Sequence, residues 1–178
     1  METVYLVGFY GVGKTMIGKA IASRKSLKYL DINNYIEEKE NASIKDIYQS
    51  KGPDYIKSLE KYALKNSITQ GMIVSTSAVL VSDEENRHLI KESGRVIYLK
   101  ASADTIYDNI KNYYKDIPIF SNDYTVLSVE NYINVYRPYY EELQNYAIDI
   151  DGKSIEELIS EALAIYNYIN KVKARIFI

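Results

Sequence analysis

The chain has 178 residues, with 22 Lys and Arg against 24 Asp and Glu, a formal charge of −2, one His and no Cys. This length suits one domain (1–178), and the balanced charge argues against a basic nucleic-acid surface, whose affinity rests on neutralising phosphates. The missing Cys removes disulfides, thiolate nucleophiles and Cys-based zinc sites, and His88 alone argues against a His-cluster metal site or a Ser-His triad.

Taken in chain order, short apolar runs alternate with longer amphipathic stretches. Strands are expected at VYLVGF (4–9), LKYLDI (27–32), MIVST (72–76), RVIYL (95–99) and YAIDI (146–150), each continuous enough to be covered on both faces. Helices are expected over 14–24, from near Pro53 to a Gly71 cap, over 82–94 and 103–114, between Ser128 and Asn145 with Pro138 able to break or kink it, and from Ser154. The last begins with SIEE, a capping box, and sets Leu158, Ala162, Ile165 and Ile169 on one face. The stretch 115–127 (KDIPIFSNDYTVL) has no clean period and reads as a connection long enough to act as a lid. Strand–helix alternation from the first residues onward predicts an α/β fold with a parallel sheet and right-handed crossovers.

Tyr occurs 19 times and Trp not at all. A run such as Tyr132, Tyr136, Tyr139 and Tyr140 fits either a stacking or carbohydrate-binding surface, or rings packed on the core with hydroxyls in water. There is no apolar run of membrane-spanning length, and the opening METVYLVGF lacks the n-region and cleavage site of a signal peptide, so a cytoplasmic protein without membrane association is expected.

Residues 8–15 read Gly8-Phe9-Tyr10-Gly11-Val12-Gly13-Lys14-Thr15, matching G-x-x-x-x-G-K-[ST] between a buried strand and an amphipathic helix. Glycines let the backbone turn tightly and aim N–H groups at phosphate oxygens, while the following helix adds its positive end. Lys14 supplies a full charge to the β/γ-phosphates, and the Thr15 hydroxyl can ligate Mg²⁺. Gly8, Tyr10, Gly11, Val12, Gly13, Lys14, Thr15 and Met16 are therefore candidate nucleotide-binding residues, with ATP as co-substrate. Without a GTPase-type N-K-x-D motif, the size favours a small P-loop kinase. Asp31, at the end of the next strand, is the candidate Mg²⁺-shell acid beside Thr15, although a helix N-cap role suits it equally.

In order and spacing, LVGFYGVGKT, YLDINNYIEE, NASIKDIYQSKG and ENRHLIKESGRVIYLKAS resemble the shikimate kinase family over about residues 4–150. The resemblance implies a three-layer P-loop kinase fold with a five-stranded parallel sheet, a helical substrate-binding region (about 32–60) and a lid (about 112–125). It implies transfer of the ATP γ-phosphate to a ring hydroxyl, in a protein expected to be a monomer. Asp31 matches the first acid of the family's D-x-D, and Glu60 the acid closing its G-E-x-x-F-R-x-x-E segment. Lys111 is a loose counterpart of the basic residue before the lid.

The acceptor side departs from the family pattern. Asn33 replaces the second acid of D-x-D, Lys57 the Arg of F-R, Ser77-Ala78-Val79 the triple-glycine turn, and Ile117 the lid Arg. In Tyr136-Arg137-Pro138, Tyr136 takes the position of the second carboxylate-binding Arg and Arg137 sits one place along. Lys for Arg loses a bidentate fork, and Val79 adds a β-branched side chain where bare backbone is expected. The sequence thus leads to Lys14 and Asp31 as the catalytic pair, Asn33, Lys57, Ser77, Ala78, Tyr136 and Arg137 as acceptor-binding candidates, and Thr15 and Asp31 toward the metal. The expected function is ATP-dependent phosphoryl transfer to a small-molecule hydroxyl, with a non-catalytic nucleotide-binding relative as the alternative.

Overall fold

A computed structural model describes residues 2–66, 71–120 and 123–176, with side chains to residue 171. Five parallel strands form one sheet: β1 (Thr3–Val7), β2 (Lys28–Asp31), β3 (Met72–Ser75), β4 (Gly94–Lys100) and β5 (Tyr146–Asp149). Their spatial order is β2-β3-β1-β4-β5, so the chain winds to one side of β1 and then to the other. All five expected strands are present with slightly shifted ends. β1, β3 and the middle of β4 are buried, as their unbroken apolar sequences require.

Eight α-helices accompany the sheet: α1 (Lys14–Lys25), α2 (Ile32–Glu40), α3 (Ile44–Lys51), α4 (Pro53–Asn66), α5 (Glu84–Ser93), α6 (Ala103–Ile110), α7 (Val126–Leu143) and α8 (Ile155–Ile176). Helix α1 packs against α8, while α4, α5 and α7 pack together, the segregation that right-handed crossovers from a central β1 produce. The expected capping box opens α8, with Glu157 accepting from the Ser154 amide and the Ser154 hydroxyl accepting from the Glu157 amide.

Five elements differ from the sequence expectation. Helices α2 and α3, implied only by family resemblance, begin where short polar side chains satisfy free amides. Asp31 accepts from Asn33 N at 3.1 Å and Asn34 N at 3.3 Å, and Ser43 Oγ accepts from Asp46 N at 3.1 Å. Helix α6 stops at Ile110, short of Tyr114, whose ring is stacked on Tyr124 at 4.1 Å. Pro138 does not end α7, which continues beyond it to Leu143. The segment expected to lack regular structure carries two 3₁₀ turns, Tyr114–Asp116 and Pro118–Phe120. Residues 67–70 of the helix expected to reach Gly71, and 121–122 of the expected lid, lie outside the described residues.

The candidate nucleotide and acceptor site

The chain turns from β1 into α1 through glycines that no other residue could replace without movement. Gly8 has φ +145°, and a Cβ there would lie 2.3 Å from the Leu99 carbonyl oxygen; Gly11 has φ +73° and would drive one to 2.7 Å from Ile110. Gly13 is the left-handed N-cap of α1, whose first turn carries no acidic residue to cancel its positive end. Lys14 Nζ donates to the carbonyls of Gly8 at 2.8 Å and Phe9 at 2.7 Å, which folds the ammonium back over the loop. Burial pushes its pKa down to about 8, opposed by the nearby Asp31 carboxylate.

Asp31 uses its two carboxylate oxygens differently. Its Oδ1 caps α2, and its Oδ2 accepts from the Thr15 hydroxyl at 2.6 Å and from the Tyr29 hydroxyl at 3.1 Å. Tyr29 Oη also lies 3.0 Å from Ser75 Oγ, which in turn donates to the Lys14 carbonyl. Gly18 makes this possible, because a Cβ on that turn of α1 would meet the Tyr29 ring at 2.6 Å. The Tyr29 network was not anticipated; its signal was the i, i+2 spacing that puts Tyr29 and Asp31 on one strand face. A carboxylate and a hydroxyl in hydrogen-bond contact are the hard oxygen donors that suit Mg²⁺ completed by phosphate and water. Among the described residues, no cluster of three or more acidic, His or Cys side chains forms a self-sufficient metal cage.

These groups open onto a cavity of about 310 Å³ lined by Tyr10, Gly11, Gly13, Lys14, Thr15 and Met16, with Asp31, Asn33, Ala78 and Tyr113 completing it. The Val12 side chain is buried in the core, so only its backbone can face a ligand, and Gly8 acts through the carbonyl that holds Lys14. Lys111 does not line this cavity; it sits at the exposed end of α6, 3.6 Å from Asp108. At that end, Asn109 Nδ2 donates to the Gly11 carbonyl at 2.9 Å, a contact the sequence gave no sign of.

A second cavity of about 710 Å³ adjoins the first and shares Tyr10, Asn33 and Tyr113 with it. Lys57, Ser77 and Tyr136 line it as expected from their positions, together with Glu60, Tyr48 and Val79. Its roof comes from the lid through Ile117, Pro118 and Ile119, and Lys45 on α3 meets Asp116 at 3.3 Å across the gap. Glu60 is only 2% exposed and accepts a hydrogen bond from Ser77 Oγ. Burial pushes its pKa up to about 7, against the smaller pull of Ser77 and Lys57 in the other direction.

Two acceptor candidates stand elsewhere. Ala78 is buried on the nucleotide side, with its carbonyl accepting from the Tyr140 hydroxyl at 2.6 Å. Arg137 is exposed and lines a separate cleft of about 290 Å³ with Glu141, Asp149 and Asp151. One residue is about 100° around a helix, so Tyr136 turns into the acceptor cavity and Arg137 turns away. The Tyr-rich run splits in the same way: Tyr140 is core, stacked on Tyr98 at 5.1 Å, whereas Tyr136 faces the cavity.

Comparison with known proteins agrees with this architecture. A family model described as Shikimate kinase matches residues 10–167. A shikimate kinase of Sulfurihydrogenibium sp. (strain YO3AOP1) is 36% identical over 166 residues, covering 92% of this chain and 96% of that protein. One from Alkaliphilus oremlandii (strain OhILAs) is 34% identical over 168 residues, covering 90% and 96%. In fold, the chain superposes on a shikimate kinase from Acinetobacter baumannii, solved in complex with shikimate, with a TM-score of 0.88 at 22% identity and 94% coverage of both chains. With a P-loop kinase sheet, a phosphate-binding turn and this breadth of similarity, the chain belongs to the shikimate kinase family.

Proposed function

We propose that the protein transfers the γ-phosphate of MgATP to a hydroxyl of a small molecule held in the larger cavity. The observation that carries this is the adjacency of the two cavities, whose linings share Tyr10, Asn33 and Tyr113, so that a nucleotide phosphate in one and an acceptor hydroxyl in the other are neighbours. Lys14 and the amides of residues 11–15 hold the phosphates. Thr15 and Asp31 are the residues that would hold Mg²⁺, which when bound neutralises charge on the β- and γ-phosphate oxygens. Tyr29 and the α2 amides hold the Asp31 carboxylate in position beside Thr15. Phosphoryl transfer tolerates the absence of a strong base, because its transition state is loose and depends on positioning and charge.

Asn33 occupies the junction of the cavities, where it can accept from or donate to an acceptor hydroxyl but carries no charge. Its neutrality, together with the absence of Arg from the larger cavity's lining, weakens shikimate as the acceptor. The same two features favour a second function, nucleotide binding without transfer. Both are tested by ADP release from MgATP with and without shikimate, with Lys14→Ala as the control. Acceptor-dependent ADP release that the control loses supports transfer. ATP binding without ADP release for shikimate and a metabolite panel would leave the binding role.

A further inference from the structure

The larger cavity carries charges that do not suit an anionic acceptor. Its charged lining is Glu37, Lys57, Glu60 and Asp116, three carboxylates against one ammonium. Lys57 Nζ sits 3.5 Å from Asp54 with its side chain 57% exposed, so its charge is partnered at the rim. Lys45 sits beside Asp116, and Glu37 Oε1 accepts from the Ile44 amide. Glu60 is different: it is buried, and its hydrogen bond comes from the neutral Ser77 hydroxyl.

Three phenol rings share the cavity wall with Glu60. Tyr10, Tyr48 and Tyr136 all line it. The Tyr10 and Tyr136 rings are held in place by aromatic neighbours. Tyr10 meets Phe9 edge-on at 5.1 Å and Phe120 at 6.4 Å, and Phe9 in turn lies 6.0 Å from Tyr136. Aromatic rings around a buried carboxyl group attract ammonium groups through the ring quadrupoles together with the negative charge that the carboxyl carries when deprotonated. They offer little to a carboxylate.

Building on the phosphotransferase function above, we infer that the acceptor is an amine-bearing hydroxyl compound, an amino sugar or aminocyclitol, whose ammonium sits among Tyr10, Tyr48 and Tyr136 against Glu60. A hydroxyl of this ligand points toward Asn33 and the nucleotide cavity. Its oxygen forms the new bond to the γ-phosphorus as the bond from that phosphorus to the β–γ bridging oxygen breaks. ADP leaves with that electron pair, and the hydroxyl proton passes to a transferred phosphoryl oxygen and from there to water.

The test measures MgATP-dependent ADP release with glucosamine against glucose, with 2-deoxystreptamine against myo-inositol, and with shikimate. Calorimetric binding of the same compounds runs in parallel. The expected result is at least a tenfold preference in kcat/KM for the amine of each pair, abolished by Glu60→Gln. Tyr136→Leu, which leaves the carboxylate, should weaken amine binding at least threefold. Equal use of amine and neutral partners, or preference for shikimate, would overturn the amine assignment while leaving phosphoryl transfer in place. Amine binding lost in Glu60→Gln but without ADP release would support the cage and count against transfer. No amine binding by calorimetry would overturn the cage.

Discussion

The two halves of the crevice share Tyr10, Asn33 and Tyr113, yet they are built in different ways. The nucleotide half is made mostly of backbone: glycines in conformations closed to other residues, a helix end, and one Lys folded over two carbonyls. The acceptor half is made of side chains gathered from α2, α3, α4, α7 and the lid. Its shape and charge change with single substitutions. A backbone-built site resists drift because any side chain added at Gly8 collides with Leu99, whereas the side chain at position 136 faces a cavity and can change while the helix stays intact. The two cavities can therefore be altered separately by substitution.

That contrast can be broken most sharply at Glu60. Its carboxyl titrates near pH 7 when folded, above its ordinary value of 4.5, so the stability of the protonated form is fully present below pH 4.5 and is lost as pH rises through 7. Urea unfolding midpoints should fall between pH 5 and 8 by the equivalent of about 3 kcal/mol, and Glu60→Gln should flatten that profile. A flat wild-type profile would mean that Glu60 is not buried as a lone acid. A variant more stable at pH 8 but poorer in acceptor binding would show a group kept for binding at the expense of stability.

The nucleotide half predicts a smaller effect of pH. Lys14 titrates near 8, so ATP affinity should weaken about tenfold for each pH unit above that value as the ammonium loses its proton. Lys14→Arg should hold affinity level to pH 9, and calorimetry across pH 7–9 measures both. At Tyr29, Phe removes the hydroxyl shared by Asp31 and Ser75 without opening a cavity. One lost hydrogen bond to a charged group is worth about 1.5–3 kcal/mol, so kcat should fall about ten- to hundredfold with KM for ATP little changed. The smallest effect belongs to the lid. Asp116→Asn removes a solvent-exposed pair with Lys45 and should change acceptor KM less than about fivefold at constant kcat.

The P-loop was legible because strand, turn and helix are contiguous in sequence, and a glycine pattern states its own backbone requirement. The strands were legible for the related reason that their burial on both faces leaves unbroken apolar runs. Helices α2 and α3 were not, since their short apolar faces are interrupted and their caps, Asp31 and Ser43, read equally as turn residues. At Arg137 the family position was one residue away, and only the helical phase shows that it faces Asp149 and Asp151 instead.

By itself, the sequence determined the parallel α/β fold, the phosphate-binding turn and the identities of Lys14, Thr15 and Asp31, because each depends on local chemistry over a few residues. The tertiary structure alone decided the rest. The β2–β3 register pairs Asp31 with Ser75 and so builds the Tyr29 network. Packing of α4 under the turn at Ser77 removes water from Glu60. The phase of α7 carries Tyr136 rather than Arg137 to the larger cavity. Charge and solvation belong to the space between distant segments, and that space exists only once the chain has folded.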